Sequence, residues 1–215
     1  DLIYLREIEG RARAVNVESG IFGIIENVNE KDDPVIWEAL HTPREVIFSN
    51  VLINDARPYW LGMGAPTPKE GTNHYGSWTE GMSDEAGAKV PLCHKNARYT
   101  IDLKELANLD KALEEPEGVE LGGIIYGGRD DDTWVPVCES FDWMHGILTM
   151  GASLESKTTA ATLGQEGVRS FNLMSILDFL SLPLGRYIQN NLSFGDRLRN
   201  RPKIFGVNYF LEDGQ

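Results

Sequence analysis

Four stretches of the sequence bring together residue types that can hold or transfer an anion. In Cys93-His94-Lys95-Asn96-Ala97-Arg98 a guanidinium and an amide stand two residues apart. A planar guanidinium grips a carboxylate or phosphate at two points, and an amide adds a further donor. In Ile124-Ile125-Tyr126-Gly127-Gly128-Arg129 an apolar strand ends in two glycines and an arginine. Glycines there let backbone N–H groups come close to a ligand. The arginine suits charge that develops on a transferring phosphoryl group. Ser156 to Gly167 is rich in small side chains and ends in glycines, as a flap that closes over a site and excludes water would be. Val207-Asn208-Tyr209-Phe210 places aromatics at a strand end, where one can stack on a base. Each stretch also has a plain structural reading: solvated arginine, tight turn, ordinary loop or first helical turn, and core packing, respectively.

Other equipment is missing. No GxxxxGK[ST] phosphate loop and no GxSxG nucleophile elbow occurs in the 215 residues. A zinc set drawn from Cys93, His94, Cys138 and His145 matches no paired-ligand spacing and is set aside. With only two cysteines there is no disulfide framework, which points to a reducing, cytoplasmic setting. The formal net charge of −13 argues against nucleic-acid and anionic-membrane partners, since both need a basic face. A small anionic substrate needs only a few local arginines or a metal ion. No apolar run approaches the roughly 20 residues of a membrane span.

The elements that must position these groups read as a mixed α/β domain. Residues 2–17 form a hairpin turning at Glu9-Gly10, and Val46–Phe48 with Val51–Ile53 form a strand or a bulged strand pair. The Gly-, Pro-, Thr- and Ser-rich residues 62–90 read as a long loop. Asp102, with Glu105 three residues on, predicts a helix whose apolar face includes Leu103, Leu106, Ala107 and Leu113. Val119–Tyr126 reads as one strand and 134–137 as another. In 139–150 helix and strand compete. Residues 171–191 read as mostly helical, interrupted at Pro183 and Gly185, and Lys203–Phe210 as a final strand.

Five segments in order, AVNVESGIFG, PLCHKNARYT, EGVELGGIIYGGR, WVPVCESFDWMHGILTMGASLESKTTAAT and PKIFGVNYF, resemble GTP-dependent phosphoenolpyruvate carboxykinase. Agreement is tight over residues 91–98, 118–162 and 202–210, and loose over 27–90 and 163–201. The resemblance implies a mixed α/β, carboxykinase-like catalytic and nucleotide-binding domain with a mixed sheet and a mobile lid loop. Residues 1–215 would form the C-terminal portion of that domain, with the phosphate loop and the N-terminal domain upstream. These residues alone would then be inactive.

The implied activity is GTP-dependent conversion of oxaloacetate to phosphoenolpyruvate, carbon dioxide and GDP, with Mn²⁺ at the catalytic site and Mg²⁺ carried by the nucleotide. The alternatives are an ATP-dependent carboxykinase or other nucleotide-dependent kinase, and a non-catalytic nucleotide- or metal-binding module. By the resemblance, Asn96 and Arg98 contact the substrate and Arg129 meets the phosphoryl groups. Lys157, Thr158, Thr159, Ala160, Gly164 and Gly167 belong to the lid. Phe210 forms one wall of the guanine pocket, and Asp1 is a ligand to the catalytic metal, a role suited to a hard carboxylate. The sequence departs from the family at Tyr209, where relatives often carry Trp, and in the lid, which reads SKTTAAT rather than SEATAAA.

Overall fold

The computed structural model describes residues 3–129, 136–159 and 168–209. They form a mixed α/β chain that divides into two compact units, one of Asp1–Val17 with Ala112–Gln215 and one of Glu18–Lys111. Among the described residues no helix is long and apolar enough to cross a membrane.

In the Glu18–Lys111 unit two antiparallel sheets share one core. The first has strand Arg98–Asp102 at its centre, between Gly20–Ile24 and Ile47–Ser49. The second runs in the order Arg57–Tyr59, Leu52–Asn54, Glu70–Asn73, Gly76–Thr79. The predicted strand pair around residue 50 is therefore two strands of different sheets, and the chain turns between them at Asn50, whose φ is +60°. The core is built on Trp60, which is fully buried, and on Ile25, Leu52 and Ile101. The Trp60 indole N–H donates to the Val28 carbonyl at 2.9 Å, so its burial leaves no polar orphan. The long loop expected over 62–90 instead contains the hairpin Glu70–Asn73/Gly76–Thr79. Its Trp78 enters the core and donates to the Val90 carbonyl. One tryptophan outweighed the turn-rich composition around it.

The helix expected from Asp102 is not formed. Asp102 ends a strand, and its side chain caps only a single 3₁₀ turn, Leu103–Glu105, by accepting from the Lys104 N–H at 2.8 Å. A second 3₁₀ turn covers Lys111–Glu114. The ladder with Gly20 holds Asp102 extended, and the Asn108 and Asp110 side chains between the turns favour local bonding over helix.

In the other unit the Glu9-Gly10 turn joins strands Ile3–Ile8 and Arg11–Asn16, as the sequence predicts. The single strand expected over 119–126 is two. Val119–Glu120 pairs with Arg11–Asn16, and Gly123–Gly128 belongs to another sheet. The chain breaks at Gly122, whose carbonyl accepts from the Lys203 N–H. Gly123–Gly128 runs parallel to Lys203–Asn208, and Val137–Glu139 pairs antiparallel on the other side of that strand, so the sheet is mixed. The 139–150 ambiguity resolves to helix. Asp142 caps Trp143–His145, and the chain continues as π-helix over Gly146–Ala152. Of the predicted helix over 171–191, Arg169–Asn172 is a strand, Ser175–Phe179 a 3₁₀ turn, and the α-helix Leu184–Asp196 begins directly after Pro183. Gly185 sits inside that helix rather than interrupting it. Trp143, Ile147, Phe194, Leu198 and Ile204 pack the helices on the sheet.

Candidate functional site

The structure brings Asn96 and Arg98 together. Residues 94–97 make a turn that leads into strand Arg98–Asp102, closed by the Ala97 N–H donating to the His94 carbonyl at 2.9 Å. The Asn96 N–H donates to His94 Nδ1 at 2.9 Å, so the neutral imidazole carries its proton on Nε2. Asn96 Oδ1 accepts from Arg98 Nε at 2.9 Å, and the Phe22 carbonyl accepts from Arg98 Nη1 at 2.9 Å. The guanidinium carbon lies 4.6 Å from the centroid of the Phe22 ring. Among the described residues Arg98 Nη2 has no acceptor, so the guanidinium is held on two nitrogens and one face while keeping donors for an anion. Asn96 commits its carbonyl oxygen to Arg98.

Arg129 and Lys157 come together in the other unit. Arg129 follows strand Gly123–Gly128. Its N–H donates to Ser156 Oγ at 3.0 Å, and its carbonyl accepts from the Lys157 N–H at 2.7 Å. One residue earlier, the Gly128 carbonyl accepts from the Tyr209 N–H at 2.8 Å. The backbone of Arg129, a half-buried residue, is thus tied on both sides, while its guanidinium has no acceptor among the described residues. Thr158 and Thr159 continue the strand Ser156–Thr159, which pairs antiparallel with Arg169–Asn172. Asp1, Ala160, Gly164, Gly167 and Phe210 lie outside the described residues.

The two glycines before Arg129 are closely packed by their neighbours. A Cβ on Gly127 would run into the Tyr209 ring, and one on Gly128 into the Glu155 carbonyl. A ring can swing away, but a backbone carbonyl next to Ser156 cannot move without pulling on Arg129. Gly128→Ala is therefore expected to lower stability by about 1–3 kcal/mol. Gly206→Ala, whose Cβ would meet Met150 in ordinary contact, should leave stability nearly unchanged. Denaturant midpoints of the two variants check this, and equal midpoints would show that the junction yields freely.

A cavity of about 650 Å³ opens beside this junction. Its walls include Tyr126, Gly128, Phe141, His145, Glu155 and Asn208. Apolar surface dominates, with a few carboxylate, imidazole and amide groups, so it suits a flat, weakly polar group. At its edge Tyr126 OH lies 3.4 Å from Tyr187 OH. Burial first, then Tyr187, raises the Tyr126 phenol well above its ordinary value, so it stays protonated.

Two contributors escaped sequence reasoning. Phe22 lies in a segment quoted above, but nothing in its spacing marks it as a partner of Arg98. Ser156 is a buried serine whose bond to Arg129 spans 27 residues, which local pattern does not reveal.

Comparison with known proteins bears on all of this. The profile of the family described as "Phosphoenolpyruvate carboxykinase C-terminal P-loop domain" matches residues 1–215. A protein of Pyrococcus abyssi named phosphoenolpyruvate carboxykinase [GTP] is 63% identical over 99% of this chain, which spans 35% of that relative. Proteins of the same name from Saccharolobus solfataricus and from an Anaeromyxobacter species are 52% and 34% identical. They match over 99% and 100% of the chain, which spans 34% and 35% of their length. The chain thus spans about a third of the length of the curated relatives it matches.

Proposed function

We propose that this chain, which belongs to the family of the phosphoenolpyruvate carboxykinase C-terminal P-loop domain, is part of an enzyme that converts oxaloacetate and GTP to phosphoenolpyruvate, carbon dioxide and GDP. The observation that carries this is the match over the whole chain to relatives that all bear that enzyme's name with GTP as the nucleotide.

In this reading Arg98 and Asn96 hold the carboxylates of oxaloacetate. The carbon–carbon bond to the departing carboxylate breaks, its electron pair stays on the substrate as an enolate, and the enolate oxygen attacks the γ-phosphorus of GTP as GDP leaves. Arg129 offsets the charge on the transferring phosphoryl group. Lys157, Thr158, Thr159, Ala160, Gly164 and Gly167 belong to the lid, whose role is to shield the enolate from protonation to pyruvate. Phe210 walls the base, and the cavity beside Arg129 offers room to the nucleotide.

A divalent cation enters the proposal through Asp1, with Mn²⁺ at the catalytic site and Mg²⁺ on the nucleotide. The described residues contain no cluster of three His, Cys, Asp or Glu side chains placed to hold a metal ion, so they do not make up its ligand set and no step is routed through it here. The two free thiols, Cys93 buried and Cys138 exposed, accord with a cytoplasmic enzyme.

The test is phosphoenolpyruvate formation from oxaloacetate by the intact protein with Mn²⁺ and either GTP or ATP. Turnover with GTP is expected. Turnover mainly with ATP would keep the chemistry and overturn the nucleotide, and GTP binding without turnover would leave a binding module instead.

A further inference from the structure

We propose that Phe22 is a positioning residue for substrate binding, acting as the platform that holds the Arg98 guanidinium flat and oriented. This rests on the reading of Arg98 as a substrate-binding arginine. Phe22 sits in strand Gly20–Ile24, where it pairs with Thr100 while Ile24 pairs with Arg98. It is 61% exposed and takes no part in the core of its unit. A singly exposed aromatic residue is ordinary, so the inference rests on what its ring touches, the Arg98 guanidinium.

The Arg98 guanidinium carbon stands 4.6 Å from the ring centroid, within range of a cation–π contact. The same residue's carbonyl accepts from Nη1, and Asn96 Oδ1 accepts from Nε. A free arginine has a long flexible stem, and fixing it on binding costs conformational entropy. Here the ring and the two acceptors fix it beforehand, which strengthens any anion contact made through the remaining donors. The ring also lies under the cation at a distance where its face attracts the positive charge. Of these three restraints the two hydrogen bonds survive any substitution at residue 22, because the one from residue 22 is a backbone carbonyl. Side-chain replacement therefore removes the ring alone.

The experiment compares Phe22→Leu, Phe22→Trp and wild type in the intact protein. Phe22→Leu should raise KM for oxaloacetate about 2- to 30-fold, the range of a guanidinium–ring contact from exposed to desolvated. KM for GTP and the melting temperature should not move, and Phe22→Trp should restore the wild-type KM. In an Arg98→Ala background Phe22→Leu should have no further effect, since its partner is gone. An unchanged KM for oxaloacetate in Phe22→Leu, an equal rise in both KM values, or a Trp variant as impaired as Leu overturns the inference alone. Wild-type protein that neither turns over oxaloacetate nor binds phosphoenolpyruvate by calorimetry overturns the functional reading, and this inference with it.

Discussion

Replacing Arg129 by alanine is expected to lower kcat of the intact enzyme about 10³- to 10⁵-fold, the range known for arginines that meet a transferring phosphoryl group. That corresponds to roughly 4–7 kcal/mol of lost transition-state stabilisation. The reasoning starts from the backbone. Ser156 and Lys157 grip the peptide groups of Arg129, and Tyr209 grips Gly128, so the side chain is carried on a fixed base and its truncation leaves that base intact. Alanine keeps these backbone bonds, so the melting temperature should hold. If Arg129 acts mainly on charge that appears during transfer, kcat and kcat/KM fall together and KM for GTP stays. Arg129→Lys should recover only part of the loss, because an ammonium is a point donor where the guanidinium is a fork. A raised KM for GTP with unchanged kcat would instead make Arg129 a uniform binder of nucleotide and take the catalytic role from it.

What the sequence made legible follows from how local each signal is. The hairpin at Glu9-Gly10 and the strand Lys203–Asn208 were readable because alternation and a turn pair sit next to each other in the chain. The segment after Asp102 was not. Its spacing fits a helix, but the pairing of Asp102 with Gly20, 82 residues earlier (102 − 20), keeps the start extended, and such a contact leaves no trace in local periodicity. The same holds for Val119–Tyr126, where apolar character runs on unbroken while the chain passes from one sheet to another at Gly122. In the candidate site the side chains suited to an anion are legible as residue types, an arginine after two glycines and an Asn-x-Arg turn. Their supports are not, since Phe22 meets Arg98 across 76 residues and Ser156 meets Arg129 across 27. The glycines before Arg129 stay ambiguous in sequence. Their sequence signature is identical whether the vacant side-chain space takes a ligand or a neighbouring carbonyl, and here Glu155 fills it for Gly128.

The second large effect concerns Arg98. Truncating one partner of a hydrogen-bonded charge pair costs about 2–5 kcal/mol, so Arg98→Ala should lower kcat/KM for oxaloacetate roughly 30- to 5,000-fold. The acceptors it leaves, Asn96 Oδ1 and the Phe22 carbonyl, lie at positions where water can replace it. The loss should therefore come from the missing substrate contact rather than from orphaned groups, and stability should change by under about 1 kcal/mol. Arg98→Lys is the more telling variant. It keeps the charge and most of the stem, but it gives up the Nε bond to Asn96 and the flat face on the Phe22 ring, and lysine offers no planar pair of donors to a carboxylate. It should stay at least about tenfold below wild type in kcat/KM for oxaloacetate, with KM for GTP unmoved, since one lost donor to a charged group contributes about 1.5–3 kcal/mol. Full activity in Arg98→Lys would mean that a positive charge suffices and the fork has no role. Full activity in Arg98→Ala would remove this turn from the substrate site, and with it the reason for Phe22 to hold the arginine in place.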